Sequence, residues 1–421
     1  MEPTQERIHD PRGAIFINAA AFGDMEAWHR KAAEIRREKP AIWVAEEGWE
    51  PFWALTRHAD VTELSRRSDV FINTSHSAPT PDIQYVILEQ LGIEEPSTLV
   101  HLSGDNHKKT RDVTNEWFKP AAVGTLQPAI DQIADEFADL LVDFGGTCDF
   151  ATDIATPFTL RVIMNIFGVP VEDEPLMLQL TQGLFGAGDP EYLGDFSSPA
   201  DLVGSTLTKF TDYFDQVTAD RRATPTSDLA TVIANGTVDN KPLQDAVRFW
   251  YFVIVATAGH DTTSYGLSGA LELLSRHPEQ FAELQANPSL LNNTVEEVLR
   301  LVSPVRSFLR FTQEDFELSS GIEFKKGDAV LTSYPAANRD ELVFENPDDF
   351  DIHRPNAHQL LTFGMGVHHC LGAQVARREI RTMLGQILDR VATIEPAGEA
   401  TWSQSHFVSG VKHLPISYTL R

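Results

Sequence analysis

Near its C-terminus the chain reads Phe363-Gly364-Met365-Gly366-Val367-His368-His369-Cys370-Leu371-Gly372. No other stretch restricts the possible folds as strongly. Gly364 and Gly366 permit a tight loop with backbone angles that other residues avoid. The residues that follow, Leu371 to Glu379, are mostly good helix formers. Cys370 therefore stands at the start of a helix, facing free N–H groups and the positive end of the dipole, a setting that favours a thiolate. Gly372 has no side chain and would let a flat molecule approach the backbone. A lone cysteine is usually a buried structural thiol, and Cys148 in Gly-Thr-Cys-Asp-Phe reads that way. Cys370, with an aromatic, a histidine and three glycines at these spacings, reads as a ligand instead.

That spacing, FGxGxHxCxG, resembles the haem-binding segment of the cytochrome P-450 superfamily, the haem-thiolate monooxygenases. The resemblance implies that Cys370 is the axial ligand of the iron in haem b. It also implies that Phe363 shields the sulfur, that Gly364 and Gly372 lie against the cofactor, and that His368 donates to a haem carboxylate. A thiolate ligand on haem iron favours O–O cleavage, with O2 as co-substrate. The implied fold is mainly α with small β-sheets, a single domain over residues 1–421, with the haem between a long central helix and the cysteine loop.

A second segment, Ala258-Gly259-His260-Asp261-Thr262-Thr263, lies within an apolar helix read over 243–276. Glycine inside a helix costs about 1 kcal/mol relative to alanine. A threonine hydroxyl can compete for the carbonyl one turn back. Together they are expected to open a groove in the helix. An acid beside an alcohol can relay protons. The resemblance makes Asp261 and Thr262 the catalytic pair and puts Ala258 and Gly259 beside the cofactor. The pair argues against peroxide-driven relatives. His260 is expected on another face, without a role.

Buried haem carboxylates need cationic partners. His107 and Arg111 are four apart, on one helical face, and resemble the family's propionate ligands, as does Arg310. Where the family reads Asp-Pro-Pro just upstream, this chain has Gly104-Asp105-Asn106. Glu297 and Arg300 are three apart on one side of a helix. With Arg354 they match the family's structural triad, holding the cysteine loop.

The remaining organisation is mostly helical in period, over 130–144, 202–222, 243–276 and 289–301. Strand signals are few: a hairpin from Ile42–Ala45 to Phe52–Leu55, and a second from Gly321–Phe324 to Ala329–Tyr334 across Lys325-Lys326-Gly327-Asp328. Residues 73–82 and 186–199 read as loops, and the stretch from Asn73 to Val100 is expected to cover the pocket. Two cysteines in 421 residues exclude a disulfide framework and fit a reducing cytoplasm. Met1 to Arg7 lacks a signal-peptide core, and no apolar run is long enough to span a bilayer. The net charge of −27 argues against nucleic acid and anionic membranes.

Outside the haem motifs, Cys148–Asp153, Asp173–Gln182, Pro304–Phe308 and Ser333–Asp340 resemble the bacterial alpha-terpineol hydroxylases. Alignment to the superfamily's pocket implies walls of Ile254, Thr257, Ala258, Val305, Phe308, Phe407 and Val408, with Leu184 and Phe185 as roof. Such apolar walls select shape more than polarity and suit a terpene, terpene alcohol or alkyl-aromatic. The chain ends soon after the haem segment, so electrons are expected from a separate iron–sulfur ferredoxin and flavoprotein reductase drawing on NAD(P)H. Lys108, Lys109, Arg377, Arg378 and Arg381 are the expected docking patch. A cytoplasmic monomer is expected. The competing readings are a haem-thiolate sensor without turnover, and another oxidative outcome, such as epoxidation or C–C cleavage, on the same haem.

Overall fold

The computed structural model describes residues 7–421; the segment Met1–Glu6 lies outside the described residues. The helices that frame the site are α1 (Asp82–Leu91), α2 (Gly104–Asn115), α3 (Gln127–Phe144), α4 (Thr156–Phe167), α5 (Glu174–Phe185), α6 (Pro190–Leu193), α7 (Pro199–Ala223), α8 (Asp245–Arg276), α9 (Leu291–Val302) and α10 (Ala373–Arg390). Apart from a short pair, Thr237–Val238 with Lys241–Pro242, the strands are β1 (Ala41–Val44), β2 (Phe52–Leu55), β3 (Phe71–Ile72), β4 (Thr147–Asp149), β5 (Ser307–Thr312), β6 (Phe316–Glu317), β7 (Glu323–Phe324), β8 (Ala329–Ser333), β9 (Val391–Pro396), β10 (Thr401–Trp402), β11 (Val411–His413) and β12 (Pro415–Leu420).

α8 is the axis of the helical layer. Its sequence is apolar on nearly every side, and a helix of that kind is buried all round. It packs on α4, α5, α9 and α10. Glycines set how close three of these neighbours come. A Cβ at Gly259 would stand 2.8 Å from Ile163 of α4, at Gly266 2.9 Å from Ile380 of α10, and at Gly269 2.4 Å from Val302 of α9. Cβ atoms do not approach that closely, so larger residues there would force the bundle apart. The expected groove takes a milder form: α8 stays helical from Asp245 to Arg276.

A five-stranded sheet in the order β1-β2-β8-β5-β3 forms the second layer. β1 and β2 make the predicted hairpin, with Ile42 opposite Ala54. The second predicted hairpin does not form. β8 pairs with β2 and β5, whereas β7 pairs with β6. Both segments have strand-like residues, but β8 is wholly buried and lies between β5 and the sequence-distant β2. The expected loop over 186–199 contains the short helix α6, capped by the Asp189 side chain. A third sheet joins β9, β12 and β4.

Glu297, Arg300 and Arg354 form one enclosed cluster. Arg300 donates through Nε and Nη2 to the Glu297 carboxylate at 2.7 and 2.8 Å, and Arg354 Nε donates to the same carboxylate at 2.9 Å. Arg300 Nη1 also donates to the Asn338 and Pro347 carbonyls, and Arg354 Nη1 to that of Glu345. Glu297 and Arg300 are 0% exposed. Breaking such a pair strands a buried charge, at about 3–5 kcal/mol. Glu297→Gln should lower unfolding stability by that amount in denaturant titration; a loss below about 1 kcal/mol would mean the cluster behaves like a surface pair.

Candidate active site

Cys370 sits where the loop gives way to α10. The turn is closed by Gly364 N–H donating to the Leu361 carbonyl at 2.8 Å and Cys370 N–H to that of Phe363 at 2.8 Å. Gly366 has φ +73°, and a Cβ there would stand 2.4 Å from the Ser65 carbonyl oxygen, so only glycine fits. The thiol opens into a cavity and is otherwise enclosed. Burial pushes its pKa up, against the backbone N–H groups of Gly372 and Ala373 and the charges of Arg111 and Arg377, which favour the thiolate. The predicted helix start at Leu371 falls two residues early, at Ala373.

The cavity has a volume of about 1620 Å³, its open mouth included. Cys370, Gly372, Phe363, Gly364, His368, Arg111 and Arg310 line it, together with the apolar Phe185, Ile254, Val305, Phe308, Phe407 and Val408, and the Arg310 guanidinium lies 5.6 Å from the Phe308 ring centre. Ala258, Gly259 and Thr262 of α8 lie along its length. Among the apolar lining residues Phe407 packs edge-on against Phe185 and Phe308, with ring centroids 5.7 and 5.4 Å apart. An isolated bridge between Val305 and Val408 joins the two apolar walls.

His107, His368, Arg111 and Arg310 converge beside the cysteine. The two imidazoles lie 4.1 Å apart. Burial, then nearby guanidinium charge, lowers His107 to about 4 and His368 to about 2. Both rings are therefore neutral at pH 7. His107 Nε2 and His368 Nδ1 are buried without a partner. Arg111 donates to the His369 carbonyl and Arg310 to that of Leu309. No carboxylate pairs with either guanidinium among the described residues. A buried guanidinium without a counter-ion is costly. Unpaired donors, an open thiol and the bare edge of Gly372, which has no atom within 4 Å of its Cβ position, fit a flat, dianionic, iron-bearing group such as haem.

Two of the expected substrate contacts fall elsewhere. Thr257 is wholly buried and donates its hydroxyl to the Val253 carbonyl at 2.7 Å, one helical step away from the face that Ala258 presents. Leu184 packs into the main core, and the roof position is held by Phe185. The acid–alcohol pair diverges: Thr262 lines the cavity and donates to the Ala258 carbonyl at 2.7 Å, while Asp261 lies on another face of α8. His260 touches Asp261, Nδ1 to Oδ1 3.0 Å. Leu99 and Val100 also line the cavity, along with Asn73; the irregular spacing of that stretch gave no sequence signal. α1 lies within it.

A charged strap holds the 186–199 segment to β11. Lys412 pairs with Asp189 and Glu191 at 2.8 and 2.7 Å. His413 places Nδ1 2.8 Å from Asp149 and Nε2 2.8 Å from Glu191. Carboxylates only accept, so both ring nitrogens donate and the ring is an imidazolium. Burial opposes that charge, but the two carboxylates prevail and hold its pKa above 6.5. A raised folded pKa gives stability that is complete below 6.5 and lost as pH rises through the folded value. Amide exchange over residues 186–193, corrected for intrinsic rates, should therefore quicken as pH climbs past 6.5. His413→Gln should erase that step; a step that survives the substitution assigns it to another group.

A family model described as Cytochrome P450 matches residues 10–418. Cytochrome P450-terp of a Pseudomonas species is 37% identical, over 94% of this chain and 95% of its own length. Linalool 8-monooxygenase of Pseudomonas putida is 28% identical, over 92% and 95%, and proteins named steroid C26-monooxygenase reach 30%. The crystal structure of CYP108D1 from Novosphingobium aromaticivorans superposes with a TM-score of 0.88 at 36% identity, covering 97% of this chain and 98% of that one.

Proposed function

The chain belongs to the cytochrome P450 family, and we propose that this haem-thiolate monooxygenase hydroxylates a small, largely apolar substrate of the terpene or terpene-alcohol type. The observation that carries the reading is one cavity that joins an open thiol, two guanidiniums that no carboxylate pairs with among the described residues, and apolar walls. The relatives named P450-terp and linalool 8-monooxygenase support the substrate class.

Cys370 would hold the iron of haem b, while His107, Arg111, Arg310 and His368 would hold its carboxylates. The bound haem supplies reductive cleavage of O2, one atom entering a C–H bond and the other leaving as water. The apolar walls at Ile254, Ala258, Val305, Phe308, Phe407 and Val408 orient the substrate by shape and exclude water. Thr262 presents its hydroxyl to the cavity, and the adjacent Asp261 is the proposed source of protons. Structural support for the outer Glu297–Arg300–Arg354 cluster acting on Cys370 runs through Asn338 and Thr362.

Reduced holoprotein under carbon monoxide should show the red-shifted Soret band of thiolate ligation, and Cys370→Ser should remove it. A histidine-type spectrum in the unmodified protein would falsify the assignment. A low- to high-spin shift with terpene alcohols, absent with fatty acids and steroids, is the expected result of a ligand screen; the reverse pattern overturns the substrate class.

Electrons are proposed to come from a separate iron–sulfur ferredoxin, itself reduced through a flavoprotein from NAD(P)H. Of the five expected docking cations, Arg377 is paired with Glu296 and lies 4.2 Å over the Phe363 ring, and Lys109 is paired with Asp239. Arg378 and Arg381 have amide partners only, Gln127 and Asn292, and line a shallow polar basin with Glu296. They are the better anchors, since their charge is not neutralised. Reversing both to Glu should slow ferredoxin-driven reduction about tenfold at low salt and leave dithionite reduction unchanged. Equal rates in both assays would place the docking surface elsewhere.

A further inference from the structure

Asn73 directly follows β3 and lines the cavity. It is 4% exposed, and its Oδ1 is enclosed without a hydrogen-bond partner among the described residues. Its other polar groups are engaged. Nδ2 donates to the Val100 carbonyl at 2.7 Å, the backbone N–H donates to Ser103 Oγ at 2.6 Å, and Ser103 Oγ donates back to the Asn73 carbonyl at 3.1 Å. Because a carbonyl only accepts, the bond to Val100 fixes which way the amide is turned. Leaving a buried carbonyl oxygen unpaired is costly, and the cost is removed by a donor brought into the cavity.

Ser103 stands at the N-cap of α2, where a serine hydroxyl ordinarily accepts from the first turn. Here it makes no such bond and is used on Asn73 instead. α2 also carries His107 and Arg111, so the amide is tied to the helix that supplies those two residues. An acceptor fixed before its ligand arrives needs little ordering when it does.

The cofactor does not offer the missing donor. Haem carboxylates at pH 7 only accept, and the rest of the macrocycle's rim is hydrocarbon. The Arg111 and Arg310 guanidiniums donate to the His369 and Leu309 carbonyls, not to Asn73. The Thr262 and Thr362 hydroxyls, which also line the cavity, donate to the Ala258 and Leu299 carbonyls. We propose that Asn73 Oδ1 accepts a hydrogen bond from the hydroxyl of a terpene alcohol, so that this residue selects an alcohol over the hydrocarbon of the same skeleton. The proposal rests on the monooxygenase reading and its substrate class. The apolar walls recognise the carbon skeleton by shape; Asn73 adds one polar point that fixes which way round the skeleton lies.

The test uses haem-loaded protein, titrated by the low- to high-spin shift with α-terpineol and with p-menth-1-ene, the same skeleton without the hydroxyl. Asn73→Leu replaces the amide with an apolar group of similar size. It should keep the haem content and the thiolate–carbon monoxide band, and should bind p-menth-1-ene as before. The ratio of the hydrocarbon's Kd to the alcohol's should fall about tenfold, the worth of one neutral hydrogen bond in a dry site. Asn73→Ala should move the ratio in the same direction. A ratio equal to that of the unmodified protein overturns the proposal. So does an equal weakening of both ligands, which would make Asn73 a prop for its loop. A fall in haem content with the ratio unchanged assigns the amide to the cofactor's carboxylates and overturns it too. If Asn73→Leu loses the band, the ratio in Asn73→Ala decides. A thiolate band in the unmodified protein with no spin shift for either ligand overturns the substrate class, and with it the ligand of Asn73. Absence of the band would instead sink the haem-thiolate reading.

Discussion

The buried bond between Arg300 and Glu297 is the constraint on which the thiolate loop depends. Arg300 also donates to the Asn338 carbonyl, and the Asn338 side chain donates to Thr362 and accepts from Leu361 N–H. Thr362 in turn donates to the Leu299 carbonyl, one residue before Arg300. The circuit is closed, and its members are buried. From it the chain runs directly into the Leu361–Gly364 turn and the Phe363–Cys370 bond. An ion pair this enclosed contributes little net stability. Its evident use is geometric: it fixes a carbonyl and an amide from which the loop hangs, so the sulfur has one position relative to α8 and α10.

Charge at the site runs against charge overall. The chain carries a formal −27, yet the walls nearest Cys370 hold two guanidiniums and no paired carboxylate. Such a cluster is poor for the folded protein alone, because the buried and unpaired Arg310 forgoes its hydration. It becomes favourable once a dianion lies among them. Folding and cofactor binding are thereby linked, and the cradle is stabilised by what it binds.

How much could be read from the chain alone follows from what each residue has to satisfy. Cys370, Gly366, Glu297 and Arg300 answer to fixed local geometry, so their spacing is diagnostic. The apolar walls of the cavity answer only to shape. Phe185 and Leu184 are adjacent apolar residues on one helix, and nothing in their identity tells which faces the cavity. Thr257 and Ala258 differ by a helical step of about 100°, enough to turn one into the core. The β7–β8 segment misled for a related reason: its turn residues suit a hairpin, but β8 is wholly buried and pairs along both edges, with β2 and with β5.

The two apolar walls raise a sharper point about selectivity. Val305 and Phe308 come from β5 and its approach; Phe407 and Val408 come from a loop a hundred residues later. What holds them at one distance is Arg306, only 1% exposed. Its N–H donates to the Phe407 carbonyl at 2.8 Å, its Nη2 to that of Ser409 at 2.9 Å, and its Nη1 to those of Val302 and Ser303. The guanidinium also lies 5.6 Å from the Phe22 and Trp402 ring centres. Burial lowers its pKa to about 9, so it stays cationic at pH 7 without a carboxylate. A neutral apolar residue would fill that space at less cost in desolvation, but it could not tie together carbonyls from α9 and the 407–409 loop. The spacing of the apolar cavity walls is thus set by a charge that does not line the cavity.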